Sequence, residues 1–424
     1  MANSEAVATP GVLLTADGTP LKVSLQKSLR RSKLRAMLLV LPPLLFLVFL
    51  FVLPIGNMLL RSIDDSLVNQ VLPTTFKEFK AWDKTTDPPE SLYAAFYTDI
   101  TRTLEEDKLL VGKAGVRMNY DKPGWRSLIK ISARKFKKVE GPPYKEAMIE
   151  IDKRWGEKEW WLSLGAMKDE RTLGYFLNAV DKKYDFDKNI ISVDENRKVY
   201  NLLWYRTLLV SFIVTIACLV LAYPVSYLLA TLPMRFSNLL MICVLMPFWT
   251  SLLVRIVAWM IMLQQQGVVN DTLVGLGILD TENRLAMMYN FNGTVIVMTQ
   301  ILLPFMILPI YSVMKTIPPS FMRAAQNLGA TPTLAFLRVY MPQTIPGVGA
   351  GCILVFIVAI GYYITPELVG GKDGRLIGNM VAYHMQRTLN WGLAAAMGTI
   401  LLAAILILYW AYDKIVGVDN MKMG

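Results

Sequence analysis

Histidine is nearly absent: the 424 residues contain one, His384, and only three cysteines, Cys218, Cys243 and Cys352. A His-based catalytic triad, a His-rich zinc site and a histidine proton relay are thereby excluded. The cysteines all fall inside apolar runs, so neither a disulfide framework nor a CxxC metal site can be read from them. No G-x-x-x-x-G-K-[ST] phosphate loop occurs, so if ATP drives this protein, another chain must bind the nucleotide. Charged residues make up only 18% and apolar ones 54%. A water-soluble domain averages about 25% and about 45–50%, so an ordinary soluble enzyme and a disordered chain are both ruled out.

The charge that is present is concentrated. Between residues 61 and 198 lie 26 of the 44 Lys and Arg residues and 24 of the 33 Asp and Glu residues. That split predicts a membrane body carrying one soluble insertion. A bilayer core of about 30 Å needs about 20 mostly apolar residues at about 1.5 Å rise. Six runs meet that test: 37–60, 202–232, 238–263, 293–314, 347–369 and 392–416. The first reads as a retained helix: it begins 36 residues in, and no small-residue cleavage site follows it.

Short flanks predict the orientation. The leader 1–36 holds Lys22, Lys27, Arg30, Arg31, Lys33 and Arg35 against Glu5 and Asp17, which places the N-terminus in the cytoplasm. Six crossings return the tail 417–424 to the same side. The loop 315–346 has Lys315, Arg323 and Arg338 and no acid, which places it there independently. The leader reads as a topology signal, and no nucleic-acid partner is expected; the apolar runs imply membrane lipid as their surroundings.

The insertion, 61–200, then faces outward. Its many aromatics, among them Trp82, Trp125, Trp155, Trp160 and Trp161, predict a packed core held without disulfides. Stretches 91–110 and 144–155 have helical spacing, and Pro88-Pro89 and Pro142-Pro143 punctuate them. A mainly helical α+β cap is expected. Its carboxylate pairs, Glu105-Glu106 and Glu157 with Glu159, read as a solvated face, and no catalytic constellation or metal site is legible.

The segment 317–342 reads as two short helices. Pro319 or Ser320 starts the first, placing Phe321, Ala324, Ala325 and Leu328 on one side, and Gly329 supplies a left-handed turn. Thr331 caps the second, Pro332 lies in its first turn, and Pro342 is expected to end it. Periodicity fits equally a plug awaiting a groove and an amphipathic loop on the lipid surface.

This segment resembles the EAA loop of type I ABC importer permeases, E-A-A-x3-G-x9-I-x-L-P. Here it stands as Arg323-Ala324-Ala325, three residues, Gly329, nine residues, then Val339-Tyr340-Met341-Pro342. The motifs 246–255, 303–309, Glu367-Leu-Val-Gly-Gly371 and Ile377-Gly-Asn379 are similar to the spermidine/putrescine-type subfamily. The likeness covers about residues 30 to 60 and 200 to 416 and leaves out the insertion. It implies an all-α permease of six membrane helices in the bacterial inner membrane, which is not itself an enzyme. Partners implied are a cytoplasmic ABC ATPase dimer holding ATP and Mg, a second permease subunit and a periplasmic substrate-binding protein, with no cofactor in this chain. Residues Arg323, Ala324, Ala325, Leu328, Gly329 and Pro342 would form the ATPase-coupling loop. The family usually has glutamate where Arg323 stands, a charge reversal that either alters the electrostatic contact with the ATPase or leaves it to a second permease chain.

Charged and aromatic groups in membrane helices are the substrate-path candidates. Glu367 comes first and Asp271 second, with Tyr362, Tyr363, Trp249 and Trp259 as faces for an ammonium ion. Glu367 equally suits a helix cap or a partner for Arg375, the tryptophans suit an interfacial belt, and Arg255 suits a bundle pair or a snorkelling cation. A secondary transporter or channel would need inverted repeats or an embedded acid relay, and a membrane-anchored sensor would need only one or two helices.

Overall fold

The computed structural model describes residues 21–416 apart from 140, 166, 186 and 187, and within them the chain is helical but for one hairpin. Most of the basic leader and the tail 417–424 lie outside the described residues. The chain divides into two units at the boundary between Leu60 and Arg61.

In the first unit, α1 (Leu21–Leu47) runs through Pro42 and Pro43 into a π-helical turn (Val48–Val52) and then α2 (Leu53–Arg61). Proline removes a helical donor and crowds the turn before it, so the wider turn lies where Pro54, at the start of α2, requires it. The stretch Ser28–Arg61 is long and apolar enough to cross a membrane.

The second unit begins with the insertion: α3 (Ser66–Val71), α4 (Pro73–Ala81), α5 (Glu90–Glu106), α6 (Lys108–Asp121), α7 (Trp125–Lys135), α8 (Tyr144–Ile151), α9 (Lys158–Gly165) and α10 (Gly174–Asn178). A hairpin follows, β1 (Lys182–Tyr184) antiparallel to β2 (Ile190–Ser192), with Lys182 opposite Ser192. The run expected to be one helix over 91–110 is two, because Asp107 leaves helical geometry and caps α6 by accepting from Leu109 N–H. The aromatics form the core. Trp125, Trp155 and Trp161 are fully buried, and each indole N–H is satisfied, by Ser163 Oγ, Ser132 Oγ and the Trp155 carbonyl in turn.

Three devices join the insertion to the membrane helices α11 (Tyr200–Thr231) and α21 (Trp391–Val416). The buried Asp181 carboxylate accepts from the backbone N–H groups of Val199, Tyr200 and Asn201 at 3.0, 3.0 and 2.7 Å, neutralising the positive end of α11. Tyr120 OH donates to the Thr388 carbonyl at 2.6 Å, and the Tyr175 ring lies so close to Gly392 that a Cβ there would stand 2.5 Å from it. Within the membrane body itself, His384 bridges Tyr200 OH through Nε2 and Thr388 Oγ1 through Nδ1, each at 2.9 Å; burial pushes its imidazole down to about 4, so it is neutral at physiological pH. Below them a buried ion pair, Arg117 Nε and Nη2 on Asp65 at 2.6 Å each, is extended by Asp121 at 2.9 Å. Arg117 is held above its ordinary range against the burial that would lower it, because Asp121, Tyr175 and Asp65 favour its charge.

The bundle continues with α12 (Met234–Leu245), α13 (Leu252–Leu263), α14 (Val268–Gly275), α15 (Phe291–Thr316), α16 (Pro319–Asn327), α17 (Pro332–Ala335), α18 (Met341–Ile360), α19 (Ile364–Val369) and α20 (Ile377–Tyr383) before α21. Contacts fix the directions. Cys218 meets the Thr299 carbonyl and Ser226 the Ile307 carbonyl, so α11 and α15 run parallel. Gly347 packs on Val313 and Gly351 on Met306, so α18 runs antiparallel to α15; a Cβ at Gly351 would stand 2.7 Å from the Met306 sulfur. Small residues here let two membrane helices approach closely. Hence the loop after α15 and the insertion lie at opposite ends of the bundle.

Among the described residues six helical stretches are long and apolar enough to span a membrane, but two expected boundaries are corrected. The run 238–263 is not one helix: a 3-10 turn (Met246–Trp249) containing Pro247 separates α12 from α13, and the qualifying stretch is Leu252–Gly275. The fifth span is Pro332–Ile360, not 347–369, since the chain breaks after Ile360 and α19 is separate. Pro342 does not end a helix. A π-helical segment (Phe336–Tyr340) widens the turn ahead of it, which makes room for the Pro342 ring at the start of α18 and lets the helix run on.

Candidate functional site

The loop between α15 and α18 is built as its sequence suggests. Pro319 occupies the first turn of α16, where no N–H is needed. At its other end Gly329 takes φ +89°, and two bonds close the turn: Ala330 N–H to the Ala325 carbonyl at 3.1 Å and Gly329 N–H to the Gln326 carbonyl at 2.9 Å. This is the Schellman arrangement, which only a residue tolerating the left-handed region closes without strain. Thr331 Oγ1 accepts from Leu334 N–H and starts α17.

Met322 packs toward the bundle core, while Arg323, Ala324 and Gly329 are exposed and Ala325 half-buried. Leu328 is 90% and Phe321 47% exposed. The apolar stripe of α16 therefore faces away from its own bundle, with no side chain of the described residues covering Leu328. Pro342 is exposed at the start of α18, set off from the stripe by the π-helical segment.

At the opposite end, the segment 361–390 gathers Glu367, Tyr362 and Tyr363. The Glu367 side chain is 52% exposed; Oε2 accepts from Asn379 Nδ2 at 2.8 Å, and Oε1 stands 4.0 Å from Arg375 Nη2. Both alternatives for Glu367 are thus realised weakly or in part, since it also lies in the first turn of α19. Gly371 takes φ +56° against the Tyr289 carbonyl, and Gly370 and Gly374 pack on each other beside Thr294, which folds the loop back toward the start of α15.

The other candidates are elsewhere. Asp271 pairs with Arg284 at 2.7 Å in a polar pocket with Gln265, Gln266, Thr281 and Glu282, beyond α13. Trp249 is 89% exposed on the 3-10 turn. Trp259 donates to Gln300 Oε1 at 3.0 Å, a packing contact between α13 and α15. Arg255 has no ion pair among the described residues, and its Nε is buried without a partner. From the sequence, Asn379 stands out only as part of the Ile377-Gly-Asn379 motif. It accepts from Leu376 N–H at the start of α20, but with leucine in place of Ser or Thr at the cap no capping-box signal stands in the sequence.

The described residues thus form a helical bundle with six stretches long and apolar enough to cross a membrane and an uncovered amphipathic helix at one end. Residues 204–416, half of the chain, match the family of binding-protein-dependent transport system inner membrane components, and the chain belongs to that family. It is a permease subunit of a multi-pass, inner-membrane, binding-protein-dependent importer. The spermidine/putrescine transport system permease protein PotB of Escherichia coli K12 is 35% identical over 237 residues, covering 54% of this chain and 86% of that relative. PotB of Haemophilus influenzae is 34% identical over 233 residues, covering 53% and 80%. Among solved structures, a bacterial alginate ABC transporter in complex with an alginate pentasaccharide-bound periplasmic protein overlays with TM-score 0.41 at 16% identity, over 53% of this chain and 80% of that one. The family assignment rests on the sequence matches. The expected type I ABC importer permease class is therefore established, and the matched range begins after the insertion.

Proposed function

We propose that this chain is one half of the permease of an ATP-driven importer of polyamines, with α16 as the element that a separate ATPase grips. The observation that carries the reading is the uncovered face of Phe321, Ala324 and Leu328 at the end of the bundle remote from Glu367. A short helix with small residues beside large apolar ones is suited to a groove, and rocking it transmits motion to α15 and α18, to which it is covalently joined. ATP and Mg belong to the ATPase dimer, and the termini and this loop lie on its cytoplasmic side by the positive-inside count.

The polyamine reading is supported by relatives named for spermidine and putrescine and by Glu367, a half-exposed carboxylate that follows Tyr362 and Tyr363 in the chain. Carboxylate and aromatic faces are what an ammonium group recognises. Arg323, exposed and without an ion pair among the described residues, supports a second permease chain of different sequence. In proteoliposomes containing the chain, its ATPase, second permease and binding protein, spermidine or putrescine is expected to stimulate ATP hydrolysis while a neutral sugar does not. Stimulation by an unrelated solute alone would overturn the polyamine reading and keep the permease.

The insertion is proposed as the dock for the binding protein. Its joints to α11 and α21 make deletion of 70–195 a poor test, because removal would strip the Asp181 cap and the Tyr175 contact. The face of α7 opposite Trp125, Leu128 and Ile129 is better: it exposes Arg126, Lys130, Arg134 and Lys135, followed by Lys137 and Lys138. Reversing Lys130, Arg134 and Lys137 to Glu is expected to weaken binding-protein-stimulated ATPase about tenfold or more with basal ATPase intact, since rim charges act on partner association. Unchanged stimulation removes the docking role from this face.

A further inference from the structure

Among the described residues, the hydrogen bond that fixes the proposed substrate carboxylate comes from another helix. Asn379, 3% exposed at the start of α20, makes three hydrogen bonds. Its Oδ1 accepts from Leu376 N–H at 3.0 Å, and its Nδ2 donates to the Tyr363 carbonyl at 2.9 Å and to Glu367 Oε2 at 2.8 Å. The amide orientation is dictated by its neighbours: Leu376 N–H can only donate and the Tyr363 carbonyl can only accept. Two backbone bonds therefore anchor the amide, and its second donor is aimed at Glu367.

We propose that Asn379 is a positioning residue that holds Glu367 so that Oε1, not Oε2, receives one ammonium group of the transported cation. The proposal rests on the reading of Glu367 as a substrate-path residue. Fixing one oxygen removes rotation of the carboxylate, so the free lone pairs point one way before the substrate arrives. The only cation near Oε1 among the described residues is Arg375, at 4.0 Å and itself 48% exposed. At that separation it is a weak counter-ion, which a primary ammonium can displace.

The test is a double-mutant cycle in the reconstituted complex, read as uptake of labelled spermidine. N379D keeps an oxygen to accept from Leu376 N–H and so keeps the cap, but it removes the donors to Glu367 and to the Tyr363 carbonyl and sets a like charge beside Glu367; the Tyr363 loss is common to both backgrounds and cancels in the cycle. Uptake is expected to fall about tenfold in E367Q and in N379D, the scale of a hydrogen bond to a charged group. If Asn379 acts through the Glu367 charge, N379D adds less loss in the E367Q background than it causes alone. A further tenfold loss there, or normal uptake by N379D alone, would overturn the positioning role while leaving Glu367 in place. Normal uptake by E367Q would instead overturn the reading of Glu367 itself. Should N379D fail to assemble, N379A is read in the same cycle.

Discussion

In the reconstituted importer, Gly329→Asp is expected to abolish transport-coupled ATP hydrolysis, a loss of about a hundredfold or more, while substrate-loaded binding protein still docks. Two physical effects combine. Gly329 sits at φ +89°, where a residue with a Cβ costs about 1–2 kcal/mol, and the closing bonds from Gly329 and Ala330 depend on that conformation. Beyond it, the position is open, with nothing within 4 Å of a would-be Cβ, so the substitution does not harm the chain's own packing. The damage falls on whatever seats against the Phe321, Ala324 and Leu328 stripe. Gly329→Ala separates the two effects: it imposes the backbone cost without a charge, and intermediate coupling is expected. Normal coupled turnover by Gly329→Asp would remove α16 from the ATPase interface.

The second large effect is on stability. Arg117→Met is expected to destabilise the second unit by about 3–5 kcal/mol, because it leaves the Asp65 carboxylate, 3% exposed, without its guanidinium. The methionine fills much of the volume over the Tyr175 ring, on which Arg117 now stacks at 5.0 Å, so the loss is electrostatic more than steric. Adding Asp65→Asn should recover part of it, since a neutral amide is cheaper to bury than an uncompensated charge. Thermal unfolding in detergent, followed with limited proteolysis of the insertion, reads both variants. An unchanged unfolding temperature in Arg117→Met would show that the ion pair contributes nothing net.

Read from sequence alone, composition and the 18–54% imbalance of charged and apolar residues fixed a polytopic membrane chain with one soluble insertion. The reason is that bilayer solvation acts on each residue where it stands, so a run of apolar residues needs no partner to be recognised. The α16 turn was equally legible, since Pro319, Gly329 and Thr331 act through local backbone geometry. Proline positions alone did not decide whether a helix stops or bends: Pro247 coincides with a break, whereas Pro342 follows a π-helical turn and the helix runs on. That outcome depends on how neighbouring helices and the widened turn satisfy the freed carbonyls.

Only the tertiary structure decided which polar residues meet. Asn379 and Glu367 are 12 residues apart, Tyr120 and Thr388 are 268 apart, and neither pairing leaves a periodic trace. For the same reason Asp271, a candidate by charge, proves to be bonded to Arg284 across a loop, while Asp181, which sequence gave no cause to notice, holds the start of α11. Apolar burial is nearly additive along a chain and can be counted from it; a hydrogen bond is short-ranged and directional, and exists only where the fold delivers donor and acceptor to the same 3 Å.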